Sequence, residues 1–209
     1  MKGYTVEPIP YQEAKPWILL KHYAHRMPSI SFSFGLFVDK KISGCCSFGV
    51  PPNYMECKLW EPYKCYELSR LIINNKEKNI GSFFVSNSIK KLPKPTVIIS
   101  YADTEMGHIG YIYQATNWLY TGVGSIGEKI LILKDGTTKH QRHYPTTDKK
   151  TIEKIHKTKG KHRYYFLHGN RKEKKKMFSL LRYPVLPYPK GETKRYDASA
   201  KFHTQTKLF

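Results

Sequence analysis

The alternation of hydrophobic and polar residues divides the first 75 residues into short strands and one amphipathic helix. TVEPI has the composition of a strand, and PYQEAKPWILLKHYAH repeats its apolar residues at near-helical spacing. SFSFGLFVDKKISGCCSFGV contains two β-rich runs joined at a polar turn and predicts a hairpin. KCYELSRLIIN becomes continuously apolar toward its end, which is typical of a buried central strand.

The same pattern then predicts alternating helices and strands. NNKEKNIGSFFVSNSIKKLPK indicates a glycine-containing loop and a helix, because Val85, Ile89 and Leu92 recur at i, i+4 and i+7. PTVIISYAD predicts a buried strand, followed by a helix from about 104 to 116 and a strand around 118 to 120. EKILILKDG and HRYYFLHG predict two more strands. The order of these elements indicates an α/β fold with a mixed sheet and helices on its faces.

The net charge of the chain indicates the kind of partner that it binds. A net charge of +20 on 209 residues favours binding to a polyanion such as nucleic acid. Residues 134–209 hold 21 Lys or Arg against 6 Asp or Glu, so we expect a core at 1–133 and a basic, β-rich extension at 134–209 that packs on it and binds nucleic acid. The candidates for contacts with the phosphate backbone are Lys161, Arg163, Arg171, Lys172, Lys174, Lys175 and Lys176.

The end of the chain and its cysteines carry weaker signals. LRYPVLPYPKG predicts an extended, proline-stiffened strap that packs Leu181, Val185 and Leu186 on the core. The four cysteines lack paired C-x-x-C spacing and are expected to be buried or free thiols rather than zinc ligands. No apolar run is long enough to span a membrane and no signal peptide is recognisable, so we expect a cytosolic protein without a membrane partner.

Four motifs resemble the Mom family of phage DNA modification proteins. They are HYAHR (22–26), ELSRL (67–71), GSFFVSNSI (81–89) and the long block YADxxxGHxGxIYQAxxWxYxG (101–122), which is the most specific of the four. The resemblance implies a GNAT-like acyltransferase core. It further implies an enzyme in the cytoplasm of the bacterial host that converts adenine in double-stranded DNA to N6-carbamoylmethyladenine and so protects phage DNA from restriction.

The resemblance leaves the acyl donor open. GNAT enzymes bind the pyrophosphate of acetyl-CoA on an R/Q-x-x-G-x-G/A loop at a helix N-terminus, and Lys76-x-x-Asn79-x-Gly81 keeps only part of that motif. Acetyl transfer alone cannot make the carbamoylmethyl group, which is a glycinamide attached to C6, so a glycyl donor such as glycyl-tRNA is the alternative to acetyl-CoA. The candidates for binding the donor are Ser69, Arg70, Gly81, Ser82 and Asn87.

Reaction at N6 requires the adenine to leave the base stack, and aromatic side chains would then hold it. The candidates for binding the base are Tyr23, Tyr101, Gln114 and Trp118, although aromatic residues at such spacings are more often part of a core. Asp103, at the end of a buried strand, is the first candidate for accepting the N6 proton, with helix capping as an equal alternative. The other catalytic candidates are His22, His108 and Tyr113. His22 and Asp103, with Tyr113, could also ligate iron or zinc.

Two other functions remain open from the sequence. The chain could be a GNAT-type acyltransferase that acts on tRNA or another acceptor. It could also be a nucleic-acid-binding protein with a catalytically inert GNAT-like core. Modification of DNA in cells that express the chain would separate the first function from both alternatives.

Overall fold

The computed structural model describes residues 3–75 and 77–192. The large sheet contains seven strands: β1 (Tyr4–Pro8), β2 (Phe32–Val38), β3 (Lys41–Gly49), β4 (Lys64–Ile73), β5 (Thr96–Asp103), β6 (Leu119–Gly124) and β10 (Lys161–His168). Their order across the sheet is β1-β2-β3-β4-β5-β10-β6. A smaller antiparallel sheet, in the order β8-β7-β9, is formed by β7 (Lys129–Leu133), β8 (Thr138–His140) and β9 (Ile152–Lys157).

Five helices pack on the two faces of the large sheet or join its strands. They are α1 (Tyr11–Lys21), α2 (Tyr54–Lys58), α3 (Ile80–Lys90), α4 (Tyr111–Ala115) and α5 (Arg171–Ser179). Phe84 of α3 packs with Ile98 on one face of β5. Met177 of α5 packs with Val97 and Ile99 on the opposite face, since successive strand residues alternate between faces. The mixed α/β fold that the sequence predicts is therefore confirmed.

β4 and β5 are the parallel pair in the centre of the large sheet, and they diverge. Their pairing runs from Lys64 opposite Thr96 to Glu67 opposite Ile99. Beyond that point β4 continues beside β3, with a register shift between Leu68 and Arg70, while β5 continues beside β10. The ends of the two strands thus leave a gap in the sheet, which is where ligands of α/β sheets usually bind.

One predicted element needs correction, and two helices were not predicted. The helix expected from about 104 to 116 is only α4, because Asp103 Oδ1 accepts a hydrogen bond from the Glu105 N–H and starts a turn, and Gly107 and Gly110 have positive φ. The short helix α2 was not predicted. The basic run at 171–176 begins α5, which is closed at its N-terminus by a capping box between Asn170 and Glu173.

The large sheet also draws on both sides of the expected boundary at residue 133. β10 lies between β5 and β6, because the segment 125–160 is inserted between two strands that pair with each other. The strap packs along β6, where the Leu186 N–H donates to the Tyr120 carbonyl, but Val185 and Leu186 keep 45% and 41% of their surface exposed. Residues 193–209 of the expected extension lie outside the described residues.

The described part of the chain contains no helix long and apolar enough to cross a membrane. The four cysteines are free thiols, as expected, and all but Cys57 are buried.

Candidate active site

A pocket of about 410 Å³ fills the gap between β4 and β5. Its wall contains residues from every motif quoted above: His22, Tyr23, Leu68, Ser69, Leu71, Ile80, Gly81, Ser82, Tyr101, Ala102, His108, Gly110, Tyr111, Ile112 and Tyr113. The volume lies in the range of ordinary small-molecule sites. Because α1 and α3 pack on opposite faces of the sheet, the pocket joins the two faces.

The first turn of α3 forms one end of the pocket. Asn79 precedes it in a left-handed conformation, and no described residue accepts a hydrogen bond from the backbone N–H groups of Gly81 or Ser82. The hydroxyl of Ser82 donates to the Asn79 carbonyl, so this residue offers its amide to a ligand. Free amides at a helix N-terminus favour an anionic group. Lys76 of the degraded GNAT loop lies outside the described residues.

Gly81 keeps this end of the pocket open. A Cβ atom at this position would lie 2.8 Å from Cδ1 of Ile112, which itself lines the pocket. The absence of a side chain therefore lets α4 pack closely against the start of α3.

His22 ends α1 at the other end of the pocket and is only 6% exposed. Burial, helped by the nearby charge of Arg70, lowers the pKa of His22 to about 3, so the ring is neutral at physiological pH. Its Nδ1 accepts a hydrogen bond of 3.0 Å from the Ala24 N–H. The proton is then on Nε2, and His22 is a hydrogen-bond donor rather than the general base considered from the sequence.

Tyr23 and His108 stand next to His22. The Tyr23 ring stacks on His22 with centroids 4.3 Å apart and meets His108 edge-on at 5.8 Å. Burial raises the pKa of Tyr23 to about 12, and burial lowers the pKa of His108. All three rings are therefore neutral near pH 7, so they form an uncharged aromatic end of the pocket.

Asp103 lies beside this cluster but not in the pocket wall. Its Oδ1 accepts the Glu105 N–H at 3.0 Å, and its Oδ2 lies 3.5 Å from Nζ of Lys161. Its negative charge adds to the rise that burial causes in the pKa of Tyr23, and it partly offsets the lowering that burial causes in the pKa of His108. The structure thus gives Asp103 the turn-capping role that was the equal alternative, and both carboxylate oxygens are engaged.

Tyr113 and Tyr101 lie deeper between the strands. The Tyr113 hydroxyl is hydrogen-bonded to Ser100 Oγ at 2.8 Å, and Ser100 in turn donates to the Leu68 carbonyl. Burial raises the pKa of both tyrosines, so both remain protonated. Ser69 lines the pocket with its hydroxyl bonded to the Glu67 carbonyl.

Four of the predicted ligand-binding residues have structural roles instead. Trp118 is fully buried in the core beside Tyr113 and Phe166 and cannot stack on a base. The Gln114 amide donates to three internal acceptors, among them the Pro189 carbonyl of the strap. The Asn87 side chain bonds the Phe83 carbonyl within α3, away from the pocket wall.

Arg70 is the fourth of these residues. Its guanidinium donates to the Arg26 carbonyl through Nε at 3.2 Å and through Nη2 at 2.8 Å, and to the Ser69 carbonyl through Nη1 at 2.7 Å. Arg70 therefore fastens HYAHR to the bulged part of β4. This contact joins the two motifs in the folded chain, and it places a positive charge near His22.

The basic candidates of the extension separate into two regions. Arg163 is engaged internally, since it bonds Thr121 and its guanidinium lies 3.3 Å from the centre of the Tyr183 ring. Lys161 is exposed at the pocket end of the sheet. The other five, Arg171, Lys172, Lys174, Lys175 and Lys176, are exposed on α5, which starts just after the opposite end of β10.

Glu67 is a residue that the sequence did not single out as part of a site. It occupies the last paired position of β4, opposite Ile99 and on the sheet face that also carries Tyr101. Burial raises the pKa of its carboxyl group, and no described residue bonds its carboxylate oxygens. Glu67 does not line the pocket itself, but it shares a sheet face with Tyr101, which does, and a desolvated acid next to a cleft is a general-base candidate. Its position before the bulge in ELSRL was the only sequence signal.

Within residues 3–75 and 77–192, no group of three His, Cys, Asp or Glu side chains is arranged to hold a metal ion. His22 uses Nδ1 for the Ala24 N–H, and Asp103 faces Lys161. Tyr113 turns its hydroxyl toward Ser100. The iron or zinc site considered from the sequence therefore stays a prediction.

A mixed sheet whose parallel central strands diverge around a pocket, with a helix N-terminus at one end, defines a protein of the GNAT-like fold class. The chain belongs to the Mom protein family, whose model matches residues 3–190. The family match confirms the resemblance seen in the four motifs and extends it through the inserted sheet and the strap. A comparison with curated protein sequences found no match.

Solved structures similar to this chain are GNAT acetyltransferases. One from Elizabethkingia anophelis, with acetyl-CoA bound, has 13% sequence identity and a TM-score of 0.48, over 80% of this chain and 100% of that chain. A Bacillus subtilis acetyltransferase in complex with CoA has 10% identity and a TM-score of 0.44, over 79% and 99%. A spermidine N-acetyltransferase chimera from Vibrio cholerae and hSSAT has 9% identity and a TM-score of 0.45, over 85% and 99%.

Proposed function

We propose that this protein is an acyltransferase-type enzyme that converts adenine in double-stranded DNA to N6-carbamoylmethyladenine. The observation that carries the proposal is the pocket between β4 and β5 of a Mom-family chain, which joins the α3 N-terminus on one sheet face to His22, Tyr23 and Tyr101 on the other. A donor can enter from the α3 side and an extruded base from the opposite side. The two substrates then meet inside the gap.

The product requires a donor that carries a glycyl group. Attack of N6 on the glycyl carbonyl forms an amide and releases the donor's hydroxyl or thiol. The new glycyl amine then attacks C6 through a five-membered ring. The bond between C6 and the old N6 breaks, and the old N6 leaves as the terminal amide. The glycine nitrogen is now attached to the purine, and the net addition is C2H3NO.

Residues of the pocket, together with Glu67 next to it, suit the steps of this reaction. The Nε2–H of His22 can donate to the carbonyl oxygen as it becomes negative, and it is already neutral and fixed in its tautomer. Glu67 can accept the proton that N6 loses. The amides of Gly81 and Ser82 can bind an anionic part of the donor, such as a phosphate. Glycyl-tRNA carries both the glycyl ester and phosphates.

Mass spectrometry of nucleosides from plasmid DNA tests the proposal. Cells that express the chain should contain a deoxyadenosine heavier by C2H3NO, and the product should disappear with Glu67→Gln. Glu13→Gln is the matched control, because Glu13 is exposed on α1 away from the pocket. Unmodified DNA from cells with abundant folded protein would reject the proposed function.

Growth with 15N-glycine tests the route. The label should be found on the nitrogen attached to the purine, because the old N6 becomes the terminal amide. Label at the terminal amide alone, or no label, would exclude the rearrangement. In vitro, purified protein with glycyl-tRNA and a DNA duplex should form the product, whereas acetyl-CoA should not replace glycyl-tRNA.

A further inference from the structure

The small sheet is inserted at the end of the large sheet where the pocket lies. The chain leaves the large sheet at Gly124 and re-enters it at Lys161, and these two residues pair with each other. Lys161 also pairs with Asp103, which directly follows Ala102 of the pocket wall. The base of the inserted segment, residues 125–160, is therefore adjacent to the side of the pocket that carries Tyr101.

The Lys and Arg side chains of the inserted segment are exposed to solvent. It contains nine Lys or Arg against four Asp or Glu, and all nine cations are exposed. Three of the four acids are used locally: Glu128 faces His140, Asp135 bonds Thr137 and Asp148 caps a short 3-10 turn. Within the described part of the chain, none of the nine cations forms an ion pair with an acid.

One pair of these cations destabilises the small sheet by mutual repulsion. The register of β7 and β9 places Lys129 directly opposite Lys157, and both are exposed. Like charges at opposed positions of an antiparallel pair repel each other. An anion between the two ammonium groups would remove that repulsion, so the pair has the arrangement of a phosphate site.

Two further lysines extend this positive surface from the Lys129–Lys157 pair toward the pocket. Lys159 and Lys161 follow along the chain, and the four steps from Lys157 to Lys161 span at most roughly 13 Å, which is about four base pairs of duplex. The inserted segment is held to the loop between β5 and α4, since Glu105 of this loop accepts hydrogen bonds from His156 and from the Lys159 N–H. We define Lys129, Lys157, Lys159 and Lys161 as the basic strip.

We propose that the basic strip binds the phosphate backbone of the DNA duplex whose adenine enters the pocket. The inference rests on the proposed function for the identity of the acceptor. Duplex DNA is the partner that the geometry favours, because the strip is positively charged and reaches the side of the pocket that carries Tyr101. The strip holds the duplex while the target base is turned into the gap between β4 and β5.

The denser lysine cluster on α5 is poorly placed for this task. α5 follows β10, whose last residue, His168, pairs with Thr96 at the start of β5. The eight residues of β5 separate that end from Asp103 by roughly 23 Å. Met177 also anchors α5 on the core at the end away from the pocket. The highest local charge is therefore not next to the site of reaction.

The test measures binding of a short fluorescent duplex to the full chain at several salt concentrations. Lys129→Gln with Lys157→Gln should weaken binding and reduce the slope of log affinity against log salt by about 2, since each lost phosphate contact removes about 0.9. The matched control is Lys174→Gln with Lys175→Gln, which removes the same charge from α5. This control variant should retain more of the affinity for the duplex, and a steeper salt slope, than the Lys129 and Lys157 variant.

Thermal unfolding separates a binding role from a structural one. The Lys129 and Lys157 variant should unfold at the same or a higher temperature than the unchanged chain, because it loses a repulsion. Loss of duplex binding with a large drop in unfolding temperature would overturn the proposal, as would an unchanged salt slope. Weaker binding of tRNA with unchanged binding of the duplex would also overturn it, in favour of RNA on this surface.

The results of the binding experiments do not depend on whether the chain modifies adenine. A chain that forms no modified adenine, yet loses duplex affinity through the basic strip, would reject the proposed function and keep the DNA surface. A chain that modifies adenine normally after loss of the strip's charge would keep the function and reject the surface.

Discussion

The backbone N–H of Ala24 donates a hydrogen bond to Nδ1 of His22 at 3.0 Å and thereby fixes which nitrogen of the ring carries the proton. The ring is buried, and its pKa is lowered to about 3. His22 therefore presents an Nε2–H donor over the whole neutral pH range. Two residues of the HYAHR motif are thus sufficient to set the polarity of one end of the pocket.

Replacement of His22 by alanine should lower kcat by roughly 100- to 1,000-fold, because it removes a fixed donor to a developing negative oxygen. Gln, which retains an N–H donor, should recover part of the loss. The pH–rate profile of the unchanged enzyme should show no ionisation from His22 between about pH 5 and 8, since a group with its pKa near 3 is neutral throughout. A histidine-like step that disappears with His22→Gln would contradict this assignment.

Glu67→Gln should make the protein more stable and less active. Burial raises the carboxyl pKa in the folded state, so Glu67 contributes stability below its unfolded pKa and loses it as pH rises through the folded pKa. The variant should thus unfold at a higher temperature at pH 7, while kcat falls by roughly 100- to 10,000-fold. The acid limb of the unchanged enzyme's pH–rate profile should lie above the ordinary glutamate pKa and vanish in the variant. A variant with full activity would remove Glu67 from the reaction.

Gly81→Ala should weaken donor binding with little effect on folding. The added Cβ lies 2.8 Å from Cδ1 of Ile112, and the flexible end of that side chain must move within the pocket. We expect the KM for the donor to rise on the order of tenfold, as for other crowded sites. Gly81→Ala combined with Ile112→Ala restores the space and should recover most of the affinity. Equal KM values in the single variant and the unchanged enzyme would show that the donor does not reach the start of α3.

Trp118 provides a test of the distinction between core and base binding. It is fully buried, and its indole Nε1 has no hydrogen-bond partner among the described residues. Trp118→Ala should lower the free energy of unfolding by about 3 to 5 kcal/mol. Trp118→Phe keeps an aromatic ring without the unpartnered N–H and should leave KM for DNA unchanged. An increase in KM for DNA, with stability preserved, would return Trp118 to the base-binding residues.

The strands and α3 could be predicted because their signals are local. The apolar run in PTVIISYAD predicts β5, and the helical spacing of Val85 and Ile89 predicts α3. The 104–116 helix failed because two glycines of the block adopt positive φ, a choice that apolar spacing does not report. α5 was missed although Asn170 and Glu173 form a readable capping signal.

The site was predictable as a set of motifs but not as a set of roles. His22, Tyr101 and Gly81 do meet in one pocket, as residues of three distant motifs. Which side chain faces the pocket depends on the bulge in β4 and on the divergence from β5, and both are products of tertiary pairing. Arg70 and Gln114 look like ligands in the sequence, yet each bonds a carbonyl group that is distant along the chain, of Arg26 and of Pro189 respectively.

The inserted segment enters and leaves the large sheet at adjacent positions, Gly124 and Lys161. A segment with neighbouring ends can be exchanged without rethreading the strands that hold the pocket. Three of the four lysines of the basic strip lie on this segment, so the proposed acceptor surface can change separately from the pocket. We therefore expect a transplanted segment to carry its acceptor preference to another chain of this fold.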